Sequence, residues 1–238
     1  AFIIPIHKKG STSSPGNYRP ISLTATCCRV MERIINKSIH GYLEINKLIS
    51  PSQHGFRGAK STCTNLLECV FDWSRSIESG WGSDVIYFDF RKAFDSVSHP
   101  KLLTKLESYG ISGNLLIWLR DFISDRVQAV RIEGRLSDTK HVTSGVPQGS
   151  VLGPTLFLLY INDITDILNN SVVSHKLFAD DIKLYSREGN SQGLQESINQ
   201  LVAWAEKWQL QLAEEKCFVC RVGSPSIKNL STLHSMNS

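Results

Sequence analysis

The chain lacks any long hydrophobic run. Its most apolar stretches, such as residues 151–161, are too short or too interrupted to cross a bilayer. The amino-terminal end shows no signal-peptide pattern. We therefore expect a soluble intracellular protein with no membrane partner.

The sequence also has little excess charge of one sign. Lys and Arg number 26 against 22 Asp and Glu, and the formal net charge is +4 in 238 residues. A polyanionic partner is therefore permitted but not required. Internal repeats are absent from the sequence, and only the end from Ser224 is rich in Ser and Asn. A hydrophobic content of 41% is enough for an ordinary buried core.

Six cysteines do not indicate a disulfide scaffold, because a chain of this size can build a hydrophobic core without covalent staples. We expect reduced thiols. Cys217 and Cys220 form a single C-x-x-C pair on a predicted strand, where residues three apart point to opposite faces. Two small buried apolar residues are therefore favoured over a zinc site.

The most informative feature present is the pair of adjacent carboxylates Asp180 and Asp181. They lie between two apolar runs that are typical of strands, where a hairpin turn would more often use Asn-Gly or Asp-Gly. Two ionised aspartates side by side repel each other, and a divalent cation would remove the repulsion. A solvated acidic turn is the alternative interpretation.

A third carboxylate, Asp89, falls at the end of a predicted strand over residues 84–89. If this strand and the hairpin are neighbours, Asp89 and Asp180 can converge on two Mg²⁺ ions about 3.5–4 Å apart, the arrangement used for nucleotidyl transfer. A glycine-rich loop, residues 144–154, precedes a helical run over 155–161. Its glycines allow the backbone to approach a substrate closely.

Hydrophobic spacing predicts the remaining elements. Helices are expected over 27–48, 62–77, 101–109, 115–123 and 193–212, a strand over 217–222, and a hairpin that joins 126–132 to 140–144 across Gly134. Strands that meet in space although helices separate them indicate an α+β fold, with an antiparallel sheet packed on helices.

Six segments, in order along nearly the whole chain, resemble the reverse transcriptase domain of non-LTR, LINE-type retrotransposons. They are residues 18–23 (YRPISL), residues 53–57 (QHGFR), the Asp89 strand, the Gln148-Gly149 loop, the Asp180-Asp181 hairpin, and residues 208–210 (WQL) with Lys216. The resemblance implies the fingers and palm of a right-hand polymerase, with the thumb largely missing. Residues 1–80 would form the fingers-like region and 81–223 the palm, with part of 101–143 assigned to either. Residues 224–238 would be a loose tail or the start of a truncated thumb connection.

The resemblance also implies roles for individual residues. Asp89, Asp180 and Asp181 would hold two Mg²⁺ ions, or Mn²⁺, with Phe90 at both the metal and the nucleotide sites. Lys216 would protonate pyrophosphate, although a solvated surface lysine fits that position nearly as well. Phe94 would exclude a ribose 2′-hydroxyl, and Arg57 would contact the template backbone. The other expected nucleotide-binding residues are Lys9 (with Lys8 as an alternative), Arg19, Gln148 and Gly149. Asp95 stays outside this set because a helix N-cap explains it equally well.

The implied activity is RNA-directed DNA synthesis in retrotransposition. Its partners would be an RNA template, a DNA primer or target and deoxynucleoside triphosphates, in the cytoplasm and the nucleus. Ala213 departs from the family pattern, which commonly has Asn there, and the short chain leaves little room for a thumb and none for an endonuclease. We therefore expect a fragment with weak, salt-sensitive binding. An inactive nucleic-acid-binding relic and an RNA-templated RNA polymerase are the alternatives.

Overall fold

Two β-sheets and eight α-helices make up the part of the chain that the structure describes, residues 1–169 and 172–223 of a computed structural model. The tail expected from residue 224 lies outside these residues. The strands are β1 (Phe2–His7), β2 (Tyr18–Leu23), β3 (Ser83–Phe88), β4 (Val127–Ile132), β5 (Arg135–Leu136), β6 (Lys140–His141), β7 (Ser174–Phe178), β8 (Asp181–Arg187) and β9 (Phe218–Val222). The helices are α1 (Thr26–Ile45), α2 (Thr62–Glu78), α3 (Ala93–Ser96), α4 (His99–Ser108), α5 (Gly113–Ile123), α6 (Gly153–Ile161), α7 (Ile164–Ile167) and α8 (Ser191–Trp208).

A four-stranded antiparallel sheet in the order β7-β8-β3-β9 carries the carboxylates at one end. In its register Phe88 lies opposite Ile182, so the ends of β3 and of the β7-β8 hairpin meet. The prediction that these strands are neighbours is confirmed. Apolar residues of one face join the main core with α6 and α8, and the other face packs on α2 through Cys69, Val85 and Tyr185.

The second sheet has the order β2-β1-β4-β5, with β6 also paired to β4. The predicted pairing of 126–132 with 140–144 is confirmed, since Val127 lies opposite His141. Strands β1 and β2 were not predicted. Because β4 runs parallel to β1, residues from the 101–143 region join the same sheet as the first strands of the chain. The proposed boundary at residue 80 stays a prediction.

The predicted helices are confirmed, with small differences at their ends. Helix α2 begins with a capping box in which Ser61 and Thr64 exchange side-chain to backbone hydrogen bonds. Helix α8 ends at Trp208, four residues before the predicted limit, because Gln209 adopts a left-handed conformation with φ of 60°. Cys217 packs on the main core and Cys220 on the α2 side, so the two thiols face opposite sides of the sheet, as expected.

Helix α6 lies at the centre of the main core. Every one of its residues except Pro154 is buried, which explains why its sequence is apolar on all sides. The buried carboxylate of Glu32, from α1, accepts hydrogen bonds from the N–H groups of Val151 (2.7 Å) and Leu152 (3.0 Å). Glu32 therefore fixes the end of the glycine-rich loop to α1. None of the helices in the described ranges is long and apolar enough to span a membrane.

Lys105 is a buried cation in this core, with 3% of its surface exposed. Its Nζ donates to Asp163 Oδ1 at 2.6 Å and to the Tyr160 carbonyl, and it lies 3.7 Å from the centroid of the Trp208 ring. Burial lowers the pKa of Lys105 to about 8. The charged form is therefore tolerated only because an acid and aromatic faces surround it.

Replacing Lys105 with Met should lower the free energy of unfolding by about 2 kcal/mol, because Asp163 loses its cation. The double variant Lys105→Met/Asp163→Asn should recover most of that loss, since no carboxylate is left unpaired. The wild-type protein should also become more stable as the pH rises from about 8 towards 10.5, because over that range the unfolded chain binds more protons at this lysine than the folded one. Urea denaturation measures all three, and a single variant as stable as the double variant would contradict the pairing.

Candidate active site

Asp89 follows β3 directly and is held by the segment that comes after α8. The Asp89 carbonyl accepts from the Ala213 N–H at 2.8 Å, and the Arg91 N–H donates to the Gln211 carbonyl at 2.7 Å. The Asp89 carboxylate accepts from Lys216 Nζ at 2.8 Å. Lys216 is therefore not a free surface lysine, and the departure at Ala213 leaves a backbone contact intact.

Asp180 lies in the two-residue turn between β7 and β8, and Gln53 holds this turn. The Gln53 Oε1 accepts from the N–H of Ala179 (2.9 Å) and from that of Gly55 (2.7 Å), while its Nε2 donates to the Ala179 carbonyl (3.3 Å). Gln53 is 1% exposed, so it makes these bonds in a dry environment. Ala179 has a φ of 56°, a left-handed conformation that is uncommon for alanine.

Sequence reasoning missed the role of Gln53, because 126 residues separate it from Ala179. The only available signal was its place in the run Gln53-His54-Gly55. The function of that run is now visible in the structure. It packs the loop before α2 against the turn that carries Asp180.

The carboxylates of Asp89, Asp180 and Asp181 influence one another. Burial raises the pKa of Asp180, and the charges of Asp181 and Asp89 raise it further. Surrounding protein atoms and the charge of Asp89 also raise the pKa of Asp181, although that side chain lies exposed at the surface. The charge of Lys8 acts in the opposite direction on both aspartates. The charges of Lys183 and Lys216 also lower the pKa of Asp181.

These residues suit a metal ion that completes its coordination with oxygen atoms of a bound substrate. Among residues 1–169 and 172–223, no three His, Cys, Asp or Glu side chains lie close enough to hold a metal ion by themselves. Mg²⁺ does not need such a cage, because it commonly uses one or two carboxylates with waters and substrate phosphates. Mutual repulsion between oxygen ligands at one cleft is what a hard divalent cation would relieve.

The three aspartates line a cleft of about 1230 Å³ between the two sheets. Its other polar walls come from the β1-β2 region and from the glycine-rich loop. The predicted site residues in this lining are Lys9, Arg19, Asp89, Phe90, Phe94, Gln148, Gly149, Asp180, Asp181 and Lys216. Charges of both signs therefore line one cleft, with Asp89, Asp180 and Asp181 at the end of the four-stranded sheet and Lys8, Lys9 and Arg19 from the β1-β2 region.

Comparison with known proteins identifies the family of the chain. The family described as reverse transcriptase (RNA-dependent DNA polymerase) matches residues 6–232. The chain belongs to this reverse transcriptase family. It is 32% identical over 239 residues to the RNA-directed DNA polymerase from mobile element jockey of Drosophila melanogaster, a match that covers 94% of this chain and 26% of the relative. It is 29% identical over 191 residues to the Pol polyprotein from the type-1 retrotransposable element R2 of Popillia japonica, covering 75% of this chain and 26% of the relative.

Similarity to solved structures confirms the predicted fold. Telomerase from Candida albicans, in complex with a fragment of telomeric RNA, aligns with a TM-score of 0.69 at 16% identity, over 97% of this chain and 42% of that one. Apo telomerase from Candida tropicalis aligns with a TM-score of 0.65 at 12% identity. The described sheets and helices are thus those of a right-hand polymerase. The reverse transcriptase chain spans about a quarter of the length of the retrotransposon relatives.

The other predicted site residues occupy different surroundings. Phe90 is 1% exposed, so its ring belongs to the core and only its backbone could serve a metal. Asp89 and Arg91 form the bonds to residues 211–213, and successive carbonyls alternate along a strand, so the Phe90 carbonyl points towards the hairpin side. Its metal role stays a prediction.

Arg57 is absent from the residues that line the cleft. Its guanidinium donates to both carboxylate oxygens of Glu44, at 3.1 and 2.9 Å, and to the Ser50 carbonyl at 2.8 Å. These bonds join the loop before α2 to the end of α1. A template phosphate would have to compete with Glu44, and the template role of Arg57 stays a prediction.

Gln148 and Gly149 dock the glycine-rich loop on β2. The Ser22 N–H donates to the Gln148 carbonyl at 2.8 Å. Gly149 has a φ of 94°, and a Cβ there would lie 3.1 Å from the Ser22 carbonyl oxygen. The packing against β2 therefore requires glycine at position 149, independently of any space that a base pair in the cleft would need.

Asp95 is not the helix N-cap that the sequence suggested, because Lys92 is the residue in that position. Asp95 lies inside α3, where its Oδ1 accepts from Gln148 Nε2 at 2.8 Å. Burial raises the pKa of Asp95. It therefore orients the Gln148 amide, a positioning role that local sequence could not reveal across 53 residues.

Proposed function

We propose that this chain is the catalytic core of an RNA-directed DNA polymerase, which adds deoxynucleotides to a primer 3′-hydroxyl on an RNA template. The observation that supports the proposal is the single cleft that Asp89, Asp180 and Asp181 line together with Lys8, Lys9 and Arg19. A site that only binds nucleic acid has no need of three acids that repel it. The family and the retrotransposon relatives support the same activity.

Each part of the cleft has a task in this reaction. Two Mg²⁺ ions, or Mn²⁺, would be held by Asp89, Asp180 and Asp181, where they would lower the pKa of the primer hydroxyl and neutralise charge on the leaving pyrophosphate. Arg19 and the two lysines bind the triphosphate, the arginine through its planar fork. Lys216, which pairs with Asp89 at 2.8 Å, would give a proton to the departing pyrophosphate.

The direct test is primer extension by the 238-residue chain on an RNA template, with Mg²⁺ and deoxynucleotides and again with the metal chelated. Metal-dependent extension with deoxynucleotides supports the proposal. RNA binding with no extension would point to an inactive relic, and equal use of ribonucleotides would point to an RNA polymerase. A parent retrotransposon with the proposed RNA-directed DNA polymerase would assemble in the cytoplasm and act on nuclear DNA.

Phe94 is proposed to select the sugar. Its ring lines the cleft and is held in place by stacking on Phe157, with centroids 4.3 Å apart, and by an edge contact to Phe56 at 6.1 Å. A ring fixed on two sides cannot move away from an added oxygen. Phe94 also packs against the main core, so its two roles coexist.

Replacing Phe94 with Val should admit ribonucleotides. We expect the ratio of kcat/KM for deoxynucleotide over ribonucleotide to fall by at least about tenfold, because a steric clash at the 2′ position is removed. Phe94→Tyr keeps the ring and should keep the ratio. Steady-state single-nucleotide incorporation measures it, and an unchanged ratio in Phe94→Val would refute the sugar gate.

A further inference from the structure

A second cavity, of about 300 Å³, lies between the five-stranded sheet and the glycine-rich loop. Lys92, Asp95, Pro147 and Gln148 line both this cavity and the catalytic cleft, so the two spaces adjoin. Arg126, immediately before β4, lines only the smaller one. Nothing in the proposed chemistry uses this cavity.

Arg126 differs from the other partly buried arginines of the chain. Arg57 is paired with Glu44, and Arg221 is paired with Asp84 and Glu188. Within the described ranges the Arg126 side chain has neither a hydrogen bond nor an ion pair, and burial by itself lowers the pKa of its guanidinium. A half-buried cation without a carboxylate is unfavourable in the free protein. It becomes favourable when a ligand brings the negative charge.

The lining indicates the charge of that ligand. Asp95 is the one acid among the lining residues, and its carboxylate is already used by Gln148 at 2.8 Å. Lys92 and His141 add basic groups near Arg126. The cavity is at the small end of ligand sites, which suits one phosphodiester better than a triphosphate. The triphosphate also has its own cations, Lys8, Lys9 and Arg19, in the larger cleft.

We propose that this cavity binds one phosphodiester of the RNA template beside the templating base, with Arg126 as its anchor. The proposal rests on the polymerase function argued above. Gln148 connects the two sites, because it lines the nucleotide cleft and its side chain bonds to Asp95 in the wall of the smaller cavity. An RNA template whose base pairs with an incoming nucleotide in the cleft would reach Arg126 by continuing past Gln148.

The test compares Arg126→Gln and Arg126→Lys with Arg131→Gln, which removes one charge from an exposed position of β4, the strand that Arg126 precedes. Binding of a labelled single-stranded RNA is measured without metal, primer or nucleotides, over a series of salt concentrations. We expect Arg126→Gln to weaken binding about tenfold, the worth of one charge-assisted hydrogen bond. The slope of log K against log salt should fall by about 0.7. Arg126→Lys should keep the slope, and Arg131→Gln should stay within about twofold of wild type.

If Arg126→Gln and Arg131→Gln had equal RNA affinities and equal salt slopes, the guanidinium of Arg126 would be merely solvated, and the proposal would be overturned. A marked loss of thermal stability in Arg126→Gln without RNA would also overturn it, because an unpaired buried cation should not stabilise the free fold. The outcome is separable from that of the polymerase function. Wild-type extension with unchanged RNA binding by Arg126→Gln sinks this site alone, whereas weakened binding without any wild-type extension sinks the polymerase function alone.

Discussion

Asp180→Asn should abolish primer extension, lowering kcat by at least about 10³-fold. Asparagine keeps the size of the side chain and removes the charge that would hold a cation at the turn between β7 and β8. The same loss is expected for Asp89→Asn, whose carboxylate also fixes Lys216 at 2.8 Å. Gel-based extension on an RNA template with Mg²⁺ measures both variants, and metal-dependent synthesis by either one would refute the assignment.

Asp84→Asn is the matched control for Asp89→Asn, since it makes the same change within β3, the strand that Asp89 directly follows. Asp84 lies at the other end of β3, paired with Arg221 at 2.7 Å, so its loss should reduce stability and leave synthesis intact. Asp180→Asn should instead abolish synthesis without reducing stability. Because the pKa of Asp180 is raised, the folded protein binds more protons at this carboxyl than the unfolded chain does. Wild-type stability therefore falls as the pH rises through the range in which Asp180 loses its proton. The variant should be at least as stable at neutral pH.

The helices with a clear hydrophobic period were predictable from sequence, whereas β1 and β2 were not. Each of these strands contains a proline, which ordinarily argues against a strand assignment. The structure places Pro5 directly opposite Pro20. The Ser22 N–H, two residues beyond Pro20 on the same side of β2, donates outwards to the Gln148 carbonyl. Both prolines thus lie at positions where the hydrogen bonds between β1 and β2 need no backbone N–H. Only the register of the two strands reveals this.

The acids of the site were predictable and their supports were not. A strand that ends in Asp89 and a hairpin that carries Asp180 are local patterns, and their meeting requires only that the strands be neighbours. Gln53 and Glu32 act through hydrogen bonds to backbone groups that lie 126 and 119–120 residues away in the sequence. Such contacts have no period and no composition signature, so they become visible only in three dimensions.

The packing of Gly55 against the catalytic turn is the tightest of these supports. A Cβ at Gly55 would lie 2.3 Å from the backbone nitrogen of Ala179 and 3.0 Å from its Cα. Backbone atoms cannot rotate away as a flexible side chain can, so the loop or the turn would have to move. The same Ala179 nitrogen donates to Gln53, and the next residue is Asp180. A methyl group at position 55 therefore acts on the position of Asp180, the carboxylate proposed to bind metal.

Gly55→Ala should reduce kcat by about 100-fold, the scale of loss expected when reacting groups are displaced by about 1 Å. It should also lower the free energy of unfolding by about 1–3 kcal/mol through overpacking. Gly58→Ala, three residues along the same loop, adds its methyl group to open space and should leave both quantities unchanged. Primer extension and urea denaturation of the two variants supply the measurements. If Gly55→Ala retained wild-type synthesis, the contact with Ala179 would not position Asp180, and the acids would owe their geometry to the sheet alone.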